Sequence, residues 1–256
     1  MSVLVLAGTR KGLFLLRSDE GRRSWQLEGP VLTGWEVMHA TLDPRNGKIY
    51  TATNNWTYGA TVHRSADGGA TWERAEEIGL PEESELTLAR VLHVEPGHDE
   101  RTLWLGGDPG ALLRSEDGGA TFEMVRGLTL HPTRDRWNPG AGGMCCHSIS
   151  LDPSEPSRIY AAISAAGGFR TDDGGETWMP INKDVAADPQ TEAIGILQRL
   201  DGYTTVGPAF SFDGERPAYA SPPPPLGAHS AEVLAEAGYS GNEIAALAAD
   251  GVIRLG

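Results

Sequence analysis

The chain has 256 residues, 33 of them glycine and 17 proline, a share of turn-forming residues that leaves little room for long helices. Aspartate and glutamate outnumber lysine and arginine 35 to 21, giving a formal charge of −14. That balance argues against a nucleic-acid or anionic-membrane surface, and no apolar run approaches the roughly 20 residues of a membrane-spanning helix.

The opening run Met1-Ser2-Val3-Leu4-Val5-Leu6-Ala7-Gly8 is too short for a signal peptide and lacks the basic region that precedes one. The cysteines are the adjacent pair Cys145-Cys146, which cannot form an ordinary disulfide framework. A cytoplasmic location is expected.

A worn motif comes first, at Ser18-Asp-Glu20-Gly21-Arg-Arg-Ser24-Trp25. Three fuller copies follow: Ser65-Ala-Asp67-Gly-Gly69-Ala-Thr71-Trp72, Ser115-Glu-Asp117-Gly-Gly119-Ala-Thr121-Phe122 and Thr171-Asp-Asp173-Gly-Gly175-Glu-Thr177-Trp178. Their first residues stand 47, 50 and 56 positions apart, periods typical of four-stranded propeller blades. Ahead of each full copy stand Leu42-Asp43-Pro44 with Ile49-Tyr50, Val94-Glu95-Pro96 with Leu103-Trp104, and Leu151-Asp152-Pro153 with Ile159-Tyr160. Each repeat thus reads as strand, proline turn, strand, loop, strand, Asp-Gly-Gly turn, strand. Asp67, Asp117 and Asp173 are expected to be structural, their carboxylates accepting turn amides while Gly69, Gly119 and Gly175 supply positive φ. Trp72, Phe122 and Trp178 should pack inward between sheets.

These motifs resemble the Asp-box, or bacterial neuraminidase repeat, Ser-x-Asp-x-Gly-x-Thr-Trp. The wider context, including Gly8-Thr9-Arg10-Lys11-Gly12-Leu13-Phe14, Gly34-Trp35-Glu36-Val37, the stretch His131 to His147, and Ile163-Ser164-Ala165-Ala166-Gly167, resembles the sialidase-like glycosyl-hydrolase repeat proteins. The resemblance implies a β-propeller over residues 1–186. Family members have six or seven blades and four repeats occur here, so the expected fold is mainly β. It is a partial, about four-bladed propeller of four-stranded antiparallel blades with a short, mostly α-helical tail.

The tail, 187–256, has another texture. Asp188-Pro189 reads as a helix start leading through Gln190 to Gln198, Pro222 to Pro225 as a polyproline rod, and Ser230 to Ala237 as a short helix. Ser240-Gly-Asn-Glu243 reads as a capping box for a second helix, striped by Ile244, Leu247 and Ala248. Ala187-Asp188-Pro189-Gln190, Val206-Gly207-Pro208, Pro223-Pro-Pro-Leu226-Gly227-Ala-His229 and Glu243-Ile244-Ala245-Ala246-Leu247 resemble the C-terminal end of class III CoA-transferases. That family's catalytic aspartate lies in a part not present here, so the resemblance implies a fragment without activity, joined near 183–190.

Propellers present ligands on loop rims. Arg10, Trp56, Tyr58, Arg134, Asp135, Arg136 and Trp137 are the candidate ligand-binding residues, a mixture suited to a carbohydrate or other small polar ligand. Were the sialidase resemblance to extend to activity, Arg10, Arg134 and Arg136 would clamp a carboxylate. His39, His93 and His147 recur 54 residues apart at the starts of inner strands, and three imidazoles could hold a divalent metal such as zinc. The expected function is a non-catalytic ligand- or partner-binding propeller, with a sialidase-like glycoside hydrolase as the alternative. The open propeller edges suggest self-association.

Overall fold

The structure, a computed structural model, describes residues 3–139, 142–164, 166–181, 191, 193–200, 202–208, 215–221 and 224–255. It divides into two compact units, Met1–Lys183 and Asp184–Gly256. The join expected near 183–190, the helix start at Asp188-Pro189, and Pro222-Pro223 of the proline run lie outside the described residues.

The first unit is a partial β-propeller of four consecutive blades. Blade 1 holds β1 (Val3–Thr9), β2 (Gly12–Ser18) and β3 (Gln26–Val31). Blade 2 holds β4 (Glu36–Leu42), β5 (Ile49–Asn55), β6 (Gly59–Ser65) and β7 (Glu73–Arg74). A short strand, β8 (Glu77–Ile78), then leads to blade 3, built from β9 (Arg90–Pro96), β10 (Leu103–Asp108), β11 (Ala111–Ser115) and β12 (Thr121–Met124). Blade 4 holds β13 (Cys146–Leu151), β14 (Ile159–Ile163), β15 (Gly167–Thr171) and β16 (Met179–Pro180).

Two details correct the expectation of four-stranded antiparallel blades. The hydroxyl residue opening each full motif ends a third strand and faces the first residue of the second: Ser65 pairs with Ile49, Ser115 with Leu103, Thr171 with Ile159. Ser18 faces Val3 in the same way. β1 is therefore the counterpart of β5, β10 and β14, and blade 1 has three strands, with no counterpart of β4, β9 and β13 among the described residues. The second correction is β8, which pairs parallel to β12 and gives blade 3 a fifth, outer strand.

The three Asp-Gly-Gly turns fold alike. Ser65 Oγ donates to Asp67 at 2.8 Å and accepts the Gly69 amide at 2.8 Å. Ser115 and Thr171 repeat both bonds. Each aspartate then accepts the amide and the hydroxyl of the threonine four residues on. The Thr71 hydroxyl and amide and the Ser65 hydroxyl hold Asp67 well below the usual carboxylate range. At Asp117 burial works upward, but the Thr121 amide and hydroxyl outweigh it and leave the group at about 2. Trp72 and Trp178 close the turns by donating their indole N–H to the carbonyls of Gly69 and Gly175 at 3.0 Å.

Blades stack through three apolar seams. Leu4, Leu6, Leu13 and Leu15 of blade 1 meet Val37, Ile49 and Trp72. Tyr50, Ala52 and Val62 of blade 2 meet Val91, Val94 and Phe122, and Trp104 and Leu112 of blade 3 meet Ile149, Phe169 and Trp178. The aromatics that follow the turns thus pack inward as expected, each fully buried side chain contributing about 1.5–3 kcal/mol. The second glycine of a turn sits in the seam. At Gly175, φ is +103° and an added Cβ would lie 3.1 Å from the Trp104 ring. Asn54 crosses the middle seam like an extra peptide group, accepting the Val91 amide at 2.8 Å and donating to the Val91 carbonyl at 2.9 Å.

The second unit holds a hairpin of β17 (Leu197–Leu200) and β18 (Tyr203–Val206) with two helices, α2 (Ser230–Glu236) and α3 (Gly241–Ala249). The hairpin corrects the helix expected to run to Gln198, because Gln198 pairs with Thr205 as a strand residue. Both C-terminal helices form where expected. The Ser240–Glu243 capping box closes reciprocally, and Ile244 is buried.

Thermal unfolding followed by circular dichroism checks this account of the turns. Gly175→Ala should cost about 1–3 kcal/mol, because an L side chain is strained at positive φ. Asp117→Ala should cost about 1–2 kcal/mol through the donors left unpaired. Asp19→Ala in the worn copy, where the carboxylate accepts the Arg22 amide, should cost less.

Candidate functional site

The Asp-Gly-Gly turns occupy one rim of the arc. Strand alternation puts the turns between second and third strands on the other rim, together with the connections between blades. Arg10 lies in the β1–β2 turn, largely exposed, 3.3 Å from Glu36. Trp56 and Tyr58 lie in the β5–β6 turn. The Asn55 carboxamide holds this turn, accepting the amides of Thr57 at 2.8 Å and Tyr58 at 3.0 Å while donating to the Gly34 carbonyl. Tyr58 stacks at 6.1 Å on Trp35, whose edge meets the ring of His63. Trp56, in the same turn, is 97% exposed.

Arg134, Asp135, Arg136 and Trp137 form a separate group on the connection between blades 3 and 4. A short helix α1 before it (residues 126–129) opens this connection. Arg134 is committed to the fold. Its guanidinium donates to the carbonyls of Thr129 at 2.8 Å and Pro109 at 2.5 Å and lies 5.3 Å over the Trp137 ring. Burial pulls its pKa down. Trp137 is a core residue rather than a ligand platform: it is buried, donates to Thr133 at 2.9 Å, and packs on Phe169 and His131. Asp135 and Arg136 are exposed.

The histidines do not converge. His39 and His93 stack across the seam between blades 2 and 3 with ring centroids 4.1 Å apart. His147 is exposed beside Ser148. The equal spacing in sequence hides a one-residue offset. Each inner strand carries a bulge: Val37 pairs with Thr53 and His39 with Ala52, while Cys146 pairs with Ile163 and Ser148 with Ala162. His147 is itself the bulged residue, so Ser148 is the counterpart of His39 and His93. Among the described residues no group of three His, Cys, Asp or Glu side chains is placed to hold a metal ion.

Trp35 and Asn55 complete this rim beside Trp56 and Tyr58. Trp35 follows a glycine in a blade connection, and Asn55 ends a strand just before the exposed aromatics. A repeated arginine was also there to be seen: Arg17, Arg64, Arg114 and Arg170 each precede the first hydroxyl residue of a motif. Arg17 donates across the first seam to the Gly68 carbonyl, Arg64 pairs with Glu73, Arg114 with Glu116, and Arg170 with Asp172.

No known family profile matches the chain. A xyloglucanase from a Paenibacillus species is 25% identical over 223 residues, covering 80% of this chain and 18% of its own. An oligoxyloglucan-reducing end-specific xyloglucanase from Emericella nidulans is 27% identical over 125 residues, 48% of this chain and 14% of its own. The chain thus spans less than a fifth of the length of the curated relatives it matches. Among solved structures, a GH74 xyloglucanase from Xanthomonas campestris superposes on 70% of this chain and 29% of its own, at 23% identity and a TM-score of 0.49.

Acid should loosen the propeller through its histidines. Burial, with Arg74 nearby, holds His63 down to about 4, and burial together with His93 holds His39 below its ordinary value. Both are held neutral by the fold, so below about 6.5 the unfolded chain binds more protons than the folded one. Their stabilisation is complete above about pH 6.5 and declines toward pH 4. The melting temperature should therefore fall between pH 7 and 5, and His39→Asn should make that fall shallower.

Proposed function

We propose that the propeller unit binds a neutral glycan on its loop rim, with Trp56 and Tyr58 as the stacking surface. The observation that carries this reading is the exposure of Trp56 on a turn fixed by Asn55. A fully exposed indole is costly in water, whereas the apolar face of a sugar ring would cover it at little cost in loop entropy. The xyloglucanase relatives act on a carbohydrate of this neutral kind, which supports the choice. An acidic sugar is disfavoured because Arg134 is bound to backbone carbonyls and Arg10 is paired with Glu36. The turns are read as Asp-box repeats, which their shared hydroxyl–carboxylate–amide network supports. The C-terminal unit is read as an inactive CoA-transferase-derived segment on its sequence motifs alone. Two free, buried cysteines favour the cytoplasm as the location.

Titration with xyloglucan oligosaccharides, followed by tryptophan fluorescence and calorimetry, tests the reading. Saturable binding should weaken by about tenfold in Trp56→Ala, the loss of one stacking partner, with the melting temperature unchanged. Binding that survives the substitution intact would exclude this surface. Release of reducing ends from xyloglucan, or of product from a sialoside, would replace the non-catalytic reading with a hydrolytic one.

A further inference from the structure

The β5–β6 turn does more than display Trp56. Its Tyr58 also lines a cavity of about 360 Å³, to which the connection from β8 to β9 contributes Ile78, Leu80, Leu86 and Leu88. Cavities that take small organic ligands begin at about 300 Å³ and combine apolar side chains with a few polar groups. Among the described residues, none that lines this cavity carries a charge, in a chain whose formal charge is −14. Its polar groups are those of the main chain and the hydroxyls of Tyr58 and Thr87.

The fold holds these walls in place. Ile78, Leu80 and Leu88 pack on the seam that contains Tyr50, Val62 and Val91. Ser84 fixes the middle of the connection, its hydroxyl donating to the Pro81 carbonyl at 2.6 Å and accepting the Leu86 amide at 3.3 Å. Tyr58 is braced by its stack on Trp35. Gly79 adds room, since a Cβ there would meet no atom within 4 Å. A group entering the cavity therefore orders little that is not already ordered.

We propose that this cavity receives an uncharged, ring-sized apolar substituent carried by the bound sugar, of the kind found as the aglycone of a phenolic glycoside. The proposal rests on the reading of Trp56 and Tyr58 as the glycan surface, and Tyr58 belongs to both places. Aliphatic walls beside a tyrosine ring suit an aromatic group. A charged group would lose its hydration there without a cation or anion to replace it. A sugar alone would leave the aliphatic walls in water.

Calorimetry on the full chain compares a xyloglucan oligosaccharide with its phenyl and 4-carboxyphenyl glycosides. The phenyl glycoside should bind about tenfold tighter than the free sugar, the scale of one ring taken out of water, and the added carboxylate should forfeit that gain. Gly79→Leu fills the cavity, and Leu86→Asn places an amide in it at a residue outside the seam. Each should remove the gain and leave the affinity for the free sugar unchanged, whereas Trp56→Ala should weaken all three ligands. Equal binding of free sugar and phenyl glycoside overturns the proposal and leaves the glycan reading standing. A gain that survives Leu86→Asn does the same. No binding of any of the three overturns both. A gain that Leu86→Asn removes and Trp56→Ala leaves intact supports the cavity and strikes the stacking surface.

Discussion

One buried hydroxyl in each of blades 2, 3 and 4 holds the propeller unit together. At the ends of β6, β11 and β15, Ser65, Ser115 and Thr171 accept a glycine amide and donate a hydrogen bond to the aspartate two residues on. This locks a turn whose second glycine must lie flat against the neighbouring blade, and it aims the following aromatic into the same seam. Without the lock, the tryptophan would lose its carbonyl partner and the seam its filler. Local turn chemistry and packing between blades are therefore one constraint seen from two sides.

Because the seams carry the apolar burial, each blade depends on its neighbours more than on itself. The blade sheets are thin and their fourth strands are short, in β7 and β16 only two residues long. Polar groups reinforce the seams without disturbing them. Asn54 mimics a strand partner for Val91, and Arg17 reaches the turn of the next blade. The loop rim can then vary freely, since little of the core passes through it. Trp56 stands exposed there for that reason, while Trp137, on a longer connection, has been drawn into the core.

Much of this was legible in the residues. The three full motifs fixed blade spacing, turn geometry and the inward aromatics, and the Ser240–Glu243 cap located the last helix. The histidine spacing misled because equal separation in sequence is not equal register once each inner strand carries a bulge. Trp137 and Arg134 looked like rim residues because composition alone does not say whether an aromatic on a long connection folds back onto a blade. The hairpin at Leu197–Val206 was hidden by a stretch whose helical start signal preceded a strand pattern too short to outweigh it.

The parallel strand β8 bears on how such a protein could have been assembled. A tandem array grows or shrinks by whole repeats, and it does so cleanly only where each repeat is self-contained. Here the connection leaving blade 2 joins the outer edge of blade 3, with the Glu76 amide bonded to the Ala120 carbonyl at 2.7 Å. A crossover between these two repeats would separate a strand from the sheet it completes. Blades 2 and 3 are thus joined by a strand pairing as well as by an apolar seam.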